Sequence, residues 1–265
     1  AKYPKRCFDV GIAEDHAITF ACGMALEGLR PFVSVYSSFL QRAYDQLNHD
    51  VCRMNLPVVI GVDRCSIIGE DGDSHQGVFD ISYMNSLPNM VIAEGKNSSQ
   101  IEALLDLAFS QTSPFAIRYP RGSIEYNCDC KCDVTLGKWE FVVNNIDSKV
   151  SIITYGNDVC KIEKDINDNH LPYNLINALF IKPIDEEMLV SVARLNKPIV
   201  VYTNDIIKGG LGDSILECLN KNHINVPVYI LGVDDVYVKH GSVLKVKESL
   251  GLDLNSLYHF IESIC

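Results

Sequence analysis

The stretch EDHAITFACGMALEGLRPFVSVY, residues 14 to 36, joins a helical pattern to a β-rich run and so indicates the fold. The apolar residues of its first part recur at the spacing of one helix face. They are Ile18, Ala21, Cys22 and Ala25. The run from residue 30 to 36 combines β-branched and aromatic residues, which is typical of a strand. A helix packed against the strand that follows it is the unit of an α/β fold.

The same alternation continues along the chain. Further β-rich apolar runs occur at residues 56–63, 89–95, 114–120, 149–156, 174–183, 197–205 and 225–233. The alternation pauses in a polar stretch at residues 122–146. We therefore predict the α/β class, with two parallel or mostly parallel domains at residues 1–134 and 135–265. The chain has no initial Met and opens almost directly on an expected strand, FDVGIA at residues 8–13, so we expect it to be part of something longer.

Charge and hydropathy exclude several classes of function. The 265 residues carry 23 Lys and Arg against 34 Asp and Glu, a formal net charge of −11, and no basic cluster stands out. Nucleic acid and anionic membrane surfaces are therefore poor candidate partners. Because no apolar run approaches the roughly 20 residues that span a bilayer, we predict a cytoplasmic protein.

Most of the ten cysteines stand singly in apolar segments, where cysteine behaves as a small buried hydrophobe. We interpret these as reduced: Cys7, Cys22, Cys52, Cys65, Cys160 and Cys218. The run CDCKCD places Cys128, Cys130 and Cys132 at alternate positions. Zinc sites space paired cysteines two to four residues apart and need four ligands, so we favour a solvated linker and predict no metal site.

Candidate binding residues lie where strands are expected to end, since ligands of parallel sheets bind at the carboxyl ends of strands. Glu14 follows FDVGIA and begins a helix, although an acid in a first helical turn is also favoured by the helix dipole. Tyr36 and Phe39 follow the next strand, with Arg42 beyond them. Such aromatic residues form either a stacking wall for a flat ring or ordinary core.

A long polar loop, VDRCSIIGEDGDSHQGVFD at residues 62–80, adds Arg64, Asp71 and His75. Arginine holds phosphate through a charge-assisted fork, and histidine moves protons or donates to a substrate oxygen. Surface charge and a simple turn are the alternatives. RYPRG supplies Arg118 and Arg121 at the end of another strand, so we expect cations to gather around an anionic ligand. Together these residues suggest an enzyme that handles a phosphorylated metabolite.

Three ordered segments carry a resemblance to a known family: residues 8–51, residues 63–90 and RYPRG at 118–122. They closely resemble the 1-deoxy-D-xylulose-5-phosphate synthases, which are transketolase-like thiamine diphosphate enzymes. The resemblance implies a transketolase-like pyrimidine-binding domain followed by a transketolase C-terminal domain. In the second domain, VYTNDIIKGGLGDSI and HGSVLKVKESLGLD are similar to the family, while YTND departs from the paired acids often found there.

The resemblance also implies roles for single residues. Glu14 resembles the acid that hydrogen-bonds a ring nitrogen of the cofactor's aminopyrimidine, and Tyr36 and Phe39 resemble its aromatic wall. The expected catalytic residues are therefore Glu14 and His75. The remaining expected substrate-binding residues are Arg42, Arg64, Asp71 and Arg121, of which Arg64 and Arg121 resemble the pair that holds the substrate phosphate.

The implied reaction condenses pyruvate with D-glyceraldehyde 3-phosphate to 1-deoxy-D-xylulose 5-phosphate and carbon dioxide, supplying isoprenoid, thiamine and pyridoxal precursors. The family holds the diphosphate and Mg²⁺ through a Gly-Asp-Gly motif followed by Asn in an N-terminal half, which has no counterpart in these 265 residues. We therefore expect this chain to be inactive alone, to need that half as a partner and to form a homodimer.

Other functions fit the same pattern. The second subunit of a split transketolase is the main enzymatic alternative, and the beta subunit of a 2-oxo acid dehydrogenase fits the motifs less well. A non-catalytic dimerisation module is the alternative from another class, with helices such as DEEMLVSVARLN at residues 185–196 packing against a partner.

Overall fold

The computed structural model describes residues 2–122 and 132–265. Its strands are β1 (Phe32–Tyr36), β2 (Val59–Asp63), β3 (Val91–Glu94), β4 (Phe115–Tyr119), β5 (Glu140–Val143), β6 (Val150–Thr154), β7 (Tyr173–Asn177), β8 (Phe180–Lys182), β9 (Ile199–Ile206) and β10 (Val228–Val233). Its α-helices are α1 (Glu14–Leu26), α2 (Ser37–Leu40), α3 (Tyr44–Gln46), α4 (Asp80–Asn85), α5 (Ser98–Ser110), α6 (Asn157–Asn169), α7 (Glu186–Ala193), α8 (Leu211–Lys221), α9 (Val243–Leu250) and α10 (Leu254–Ile264). Short 3₁₀ turns and one π-helical segment (Leu47–Cys52) complete the description.

The first sheet has the strand order β1-β2-β4-β3-β8. Its first four strands are parallel, and β8 pairs with β3 in the antiparallel sense. Strands β2, β3 and β4 are buried almost throughout, which is why their sequences are continuous apolar runs. Helix α1 lays its buried face on this core, as its spacing predicts.

The second sheet has the order β10-β9-β6-β7-β5, with only β5 antiparallel among its strands. Central strands β6 and β7 are wholly buried. Two mostly parallel α/β sheets confirm the predicted fold class. The boundary between residues 134 and 135 stays a prediction, because β8 lies beyond it and yet completes the first sheet.

The apolar run at residues 174–183 is divided between the two sheets. Its first part is β7 in the second sheet, and its last part is β8 in the first. Side-chain pattern alone does not show which sheet a strand joins, so the run reads as one strand in the sequence. The chain thus crosses from the second sheet to the first within this single β-rich run.

One predicted strand is absent: residues 8–13 form no regular structure. Gly11 adopts a positive φ of 67°, and its N–H donates to Asp9 Oδ1 at 2.9 Å, so a local turn replaces the strand. Glu14 is therefore placed by the start of α1 and not by the end of a preceding strand. Phe8 and Ile12 in this segment are exposed.

Five of the singly placed cysteines are buried as expected, whereas Cys7 is exposed. Cys128 and Cys130 lie outside the described residues. Within residues 2–122 and 132–265, no group of three or more His, Cys, Asp or Glu side chains is arranged to hold a metal ion. In the same part of the chain, no helix is both long enough and apolar enough to cross a membrane.

Candidate active site

A cavity of about 420 Å³ opens at the carboxyl end of β1. Tyr36 ends that strand, Phe39 lies in α2 one turn later, and Glu14 enters from the start of α1. Arg42 completes the lining from the 3₁₀ turn after α2. The structure therefore brings together the acid, the aromatic pair and one of the arginines that the sequence predicted separately.

The carboxylate of Glu14 is largely withdrawn from water. Its side chain is 12% exposed, and Arg42 Nη1 lies 3.9 Å from its Oε2 atom. Helix α1 begins at Glu14, and Ala13 before it provides no side-chain cap, so the carboxylate is favoured there electrostatically as well. Asp15, also in the first turn, is exposed and does not line the cavity. Both acids thus lie in the first turn of α1, but of the two only Glu14 lines the cavity.

An aromatic wall stands beside this carboxylate. Tyr36 and Phe39 stack with ring centroids 5.4 Å apart and planes 16° from parallel. His75 meets the Phe39 ring edge-on, with centroids 5.3 Å apart. His75 also has its Nδ1 atom 2.9 Å from Ser74 Oγ. The histidine from the long loop is therefore brought against the aromatic pair, which joins the two predicted parts of the site.

The cationic part of the site consists of Arg64, Asp71 and Arg121. Arg64 covers the Tyr36 ring, with the guanidinium carbon 3.8 Å from the ring centroid. Asp71 lies between the two arginines, 3.4 Å from Arg64 Nε and 3.0 Å from Arg121 Nη1. Arg64 Nε and Nη1 are buried and make no hydrogen bond to any described residue. The carboxylates of Asp71, at 3.4 Å from Nε, and Asp63, at 3.9 Å from Nη1, pair with this guanidinium but form no hydrogen bond to these donors, so the donors are suited to receive an anionic oxygen.

The loop that carries these groups is closed on itself. Ser66 and Gly77 form a β-bridge, with Ser66 N–H donating to the Gly77 carbonyl at 2.6 Å and Gly77 N–H to the Ser66 carbonyl at 2.9 Å. Buried Gln76 accepts from the N–H groups of Ile68 and Gly69 through its Oε1 atom, at 2.9 and 3.2 Å. Arg64 and Ser66 both have positive φ, which turns the loop sharply after β2. Hydrogen bonds within the loop therefore fix its shape, and it is not a simple solvated connection.

Arg118 does not belong to the cationic site, which corrects the prediction. Its side chain is fully buried, and its guanidinium is shared by three carboxylates. Nε donates to Asp80 Oδ2 at 2.6 Å, Nη2 donates to Asp205 Oδ1 at 2.7 Å, and Nη1 donates to Glu94. Because β4 is a central strand buried on both faces, a charged side chain that points out of it must be paired inside the protein.

The partners of Arg118 were not predicted from the sequence. A signal was present, since Arg118 and Glu94 each stand inside an apolar β-rich run, where an unpaired charge would be costly. Burial raises the pKa of Glu94 to about 7, and it also raises the pKa of Asp205. Burial opposes the charge of Arg118, yet the carboxylates of Asp205, Asp80 and Glu94 raise its pKa well above the usual range. One guanidinium thus pairs with three carboxylates. We call these four residues the buried ion cluster: Arg118, Asp80, Glu94 and Asp205.

Comparison with known proteins agrees with this architecture. Residues 1–126 match the family model for the transketolase pyrimidine binding domain, and residues 137–257 match that for the transketolase C-terminal domain. The chain belongs to the transketolase family. Apart from β8, the first sheet therefore belongs to the pyrimidine-binding domain and the second to the C-terminal domain, and the cavity beside Glu14 lies in the pyrimidine-binding domain.

Relatives of this transketolase-family chain include enzymes named 1-deoxy-D-xylulose-5-phosphate synthase. The one from Clostridium tetani is 46% identical over 95% of this chain, and the one from Listeria monocytogenes is 42% identical over 96%. The chain spans only 41% and 43% of the length of these two relatives. The resemblance inferred from the sequence motifs is confirmed.

Solved structures show the same fold. One is described as a split gene transketolase, inactive beta4 tetramer; it has a TM-score of 0.86 and 26% identity, covering 98% of this chain and 84% of that one. Transketolase from Campylobacter jejuni has a TM-score of 0.75 and 18% identity, covering 97% of this chain and 39% of that one. The second likeness concerns the fold alone.

Proposed function

We propose that this chain is part of a thiamine diphosphate-dependent synthase that condenses pyruvate with D-glyceraldehyde 3-phosphate to 1-deoxy-D-xylulose 5-phosphate and carbon dioxide. The observation that carries the proposal is the union, in one site, of a shielded carboxylate, an aromatic wall and a guanidinium with free donors. The names of the relatives support the choice of substrates.

The residues present fit the pyrimidine part of the cofactor. The Tyr36 and Phe39 wall suits the face of a flat heteroaromatic ring, and the Glu14 carboxylate lines the same cavity, where it suits a ring nitrogen. When bound, thiamine diphosphate supplies the carbon nucleophile and the electron sink of the reaction. As the family resemblance implies, we assign the Mg²⁺ and diphosphate contacts to an N-terminal half outside these 265 residues; the chain spans 41% of the length of one relative.

The chain's own residues divide the remaining work. Glu14 holds or gives a proton at its carboxylate, facing the ring nitrogen, and Arg42 at 3.9 Å balances its charge. His75, held by Ser74 and the Phe39 edge, is placed to donate to or accept from a substrate oxygen. Arg64 and Arg121, with Asp71 between them, take the phosphate of the aldehyde.

A subunit of a split transketolase is the second candidate. The similar chain described as part of a split gene transketolase, and as an inactive β4 tetramer, favours it. That description also supports our proposal that this chain is inactive alone. Homodimer formation and a cytoplasmic location belong to the proposal and rest on the family resemblance.

A purely non-catalytic module fits less well. The helix from DEEMLVSVARLN, α7, packs Leu189, Val192 and Ala193 into the chain's own core and does not keep that apolar face for a partner. A module without catalytic function also gives no reason for free guanidinium donors beside an aromatic wall.

The test is carbon dioxide release from pyruvate, with thiamine diphosphate and Mg²⁺, by this chain alone and together with the N-terminal half of a close relative. We expect release only in the combination, rising when glyceraldehyde 3-phosphate is added. No release from pyruvate in the combination, but turnover of a ketose phosphate donor, would assign the chain to the transketolases instead.

A further inference from the structure

The buried ion cluster hydrogen-bonds to residues next to both parts of the candidate site, the aromatic wall and the cationic part. Asp80 accepts from Ser37 Oγ at 2.7 Å, and Ser37 directly follows Tyr36 of the aromatic wall. Asp205 accepts from Ser66 Oγ at 3.1 Å, and Ser66 stands two residues after Arg64. Arg118 donates to both acids. Its guanidinium is therefore linked through two successive hydrogen bonds to Ser37, beside the aromatic wall, and to Ser66, beside the cationic part.

Asp205 is the member of this cluster that the C-terminal domain supplies, from strand β9. Further bonds from the same domain fix the loop nearby. Ile206 N–H donates to the Val78 carbonyl at 3.0 Å, and the Lys239 carbonyl accepts from Gln76 Nε2 at 3.5 Å. The C-terminal domain therefore holds the loop at its start through Ser66 and at its end through Val78.

We propose that Asp205 is a positioning residue for the loop after β2, acting through Ser66 to hold Arg64 over Tyr36. The proposal rests on the proposed function, because it assigns the phosphate to Arg64. Ser66 has a positive φ of 64°, a conformation that a serine adopts only where its surroundings hold it. A charge-assisted hydrogen bond to a buried carboxylate provides such a restraint.

The C-terminal domain thereby gains a role beyond assembly. Arg118 orients Asp205 toward the loop, since the guanidinium donates to one carboxylate oxygen, Oδ1, and leaves the other, Oδ2, for Ser66. That second oxygen, Oδ2, also accepts from Tyr155 OH at 2.7 Å. Thr203 Oγ1 donates to the same atom at 3.5 Å, so three hydroxyls share it, and of these only that of Ser66 belongs to the loop after β2.

This arrangement gives a matched pair of variants, Ser66→Ala and Tyr155→Phe. Each removes one hydroxyl from Asp205 Oδ2, and Tyr155→Phe leaves the loop's own contacts in place. The complete enzyme containing this chain is titrated calorimetrically with D-glyceraldehyde 3-phosphate and with inorganic phosphate. We expect Ser66→Ala to raise the Kd for the aldehyde about tenfold, the effect of losing a hydrogen bond to a charged group, and Tyr155→Phe to leave it unchanged.

Two further readouts separate positioning from general stability. The thermal midpoint of Ser66→Ala should fall no further than that of Tyr155→Phe, which removes a hydroxyl from the same carboxylate oxygen. Asp205→Asn keeps the side-chain shape but not its charge, and should raise the same Kd. Equal Kd values for all variants, or equal weakening by Tyr155→Phe, would overturn the positioning role. Failure of the proposed chemistry shows separately, as absent carbon dioxide release, because binding of the aldehyde is measured without turnover.

Discussion

Glu14 satisfies two physical demands at one position. As the first residue of α1 it lowers the energy of the uncapped helix start, and as a cavity residue it presents a shielded carboxylate. The sequence allowed both explanations and could not separate them. The structure shows that Asp15 meets the first demand without facing the cavity, so the two roles are separable by experiment.

We expect Glu14→Gln to lower turnover at least about a hundredfold in the complete enzyme, because an amide cannot exchange a proton with the ring nitrogen. Initial rates of carbon dioxide release measure the effect. Asp15→Asn is the control, since it makes the same change in the same helical turn and should retain near-normal turnover. Comparable rates for the two variants would show that Glu14 only stabilises the start of α1 and takes no part in catalysis.

Arg64 gives a second test at the same scale. Arg64→Lys keeps the positive charge but removes the fork and the flat surface that covers Tyr36. We expect the KM for glyceraldehyde 3-phosphate to rise about tenfold or more, and the KM for D-glyceraldehyde, which lacks the phosphate, to stay the same. Arg30→Lys at the exposed Arg30 is the control. An equal rise in KM for both aldehydes would show that Arg64 does not bind the phosphate.

At the scale of elements, the loop after β2 is the decisive structure. Its bridge between Ser66 and Gly77 brings the chain so close to Arg64 that a Cβ atom on Gly77 would lie 2.1 Å from the Arg64 carbonyl oxygen. Such contact is impossible without displacement of the backbone that carries Arg64. Glycine at this position therefore couples the shape of the loop to the placement of the arginine.

We expect Gly77→Ala to lower the free energy of unfolding by about 1–3 kcal/mol, as overpacking does, and to weaken aldehyde binding as well. Urea unfolding followed by circular dichroism measures the first effect. Gly23→Ala in α1 is the control, because nothing lies within 4 Å of the added Cβ and alanine favours a helix by up to about 1 kcal/mol. If Gly77→Ala were as stable as the unaltered chain, the close approach would not constrain the loop.

Local pattern predicted most of these elements, because a buried parallel strand is an apolar run and a covering helix has one apolar face. It also predicted that Tyr36 and Arg64 lie at the ends of two strands, and in the structure Tyr36 ends β1 and Arg64 directly follows the neighbouring β2. It failed for Arg118, whose carboxylate partners come from distant segments, and for β8, whose sheet is chosen by tertiary pairing. The strand predicted at residues 8–13 was wrong because the apolar residues there resemble a strand, whereas Asp9 and Gly11 form a turn.

For the whole molecule, the buried ion cluster connects the two domains and carries an excess of negative charge. Three carboxylates surround one guanidinium, all of them nearly inaccessible to water. Of these acids, Glu94 has its pKa raised to about 7, with burial as the largest cause. The backbone of the C-terminal domain approaches Glu94 closely, since a Cβ added to Gly156 would lie 2.3 Å from Glu94 Oε1.

This raised pKa predicts how stability depends on pH. The folded protein keeps a proton on Glu94 up to about pH 7, whereas the unfolded chain releases it near 4.5. The stabilising contribution is therefore complete below about pH 4.5 and is lost as the pH rises through 7. We expect Glu94→Gln to abolish this loss and to gain on the order of 3 kcal/mol of unfolding free energy relative to the unaltered chain between pH 4.5 and pH 8.

Guanidinium unfolding of both proteins at several pH values measures that difference. Glu27→Gln is the control, since Glu27 caps the end of α1 on the surface and should leave the pH dependence unchanged. A constant difference between Glu94→Gln and the unaltered chain across this range would show that Glu94 is ionised throughout.

The strand exchange at β8 limits how this protein can be recombined. Removing the C-terminal domain at a cut near residue 134 would take β8 away and bare the outer edge of β3, which is the kind of open edge that templates aggregation. Chimeras with relatives therefore need residues 180–182 to come from the same parent as β3, or to match it in register. Separate family models describe the two domains, yet in this protein the pairing of β8 (Phe180–Lys182) with β3 joins them in one sheet.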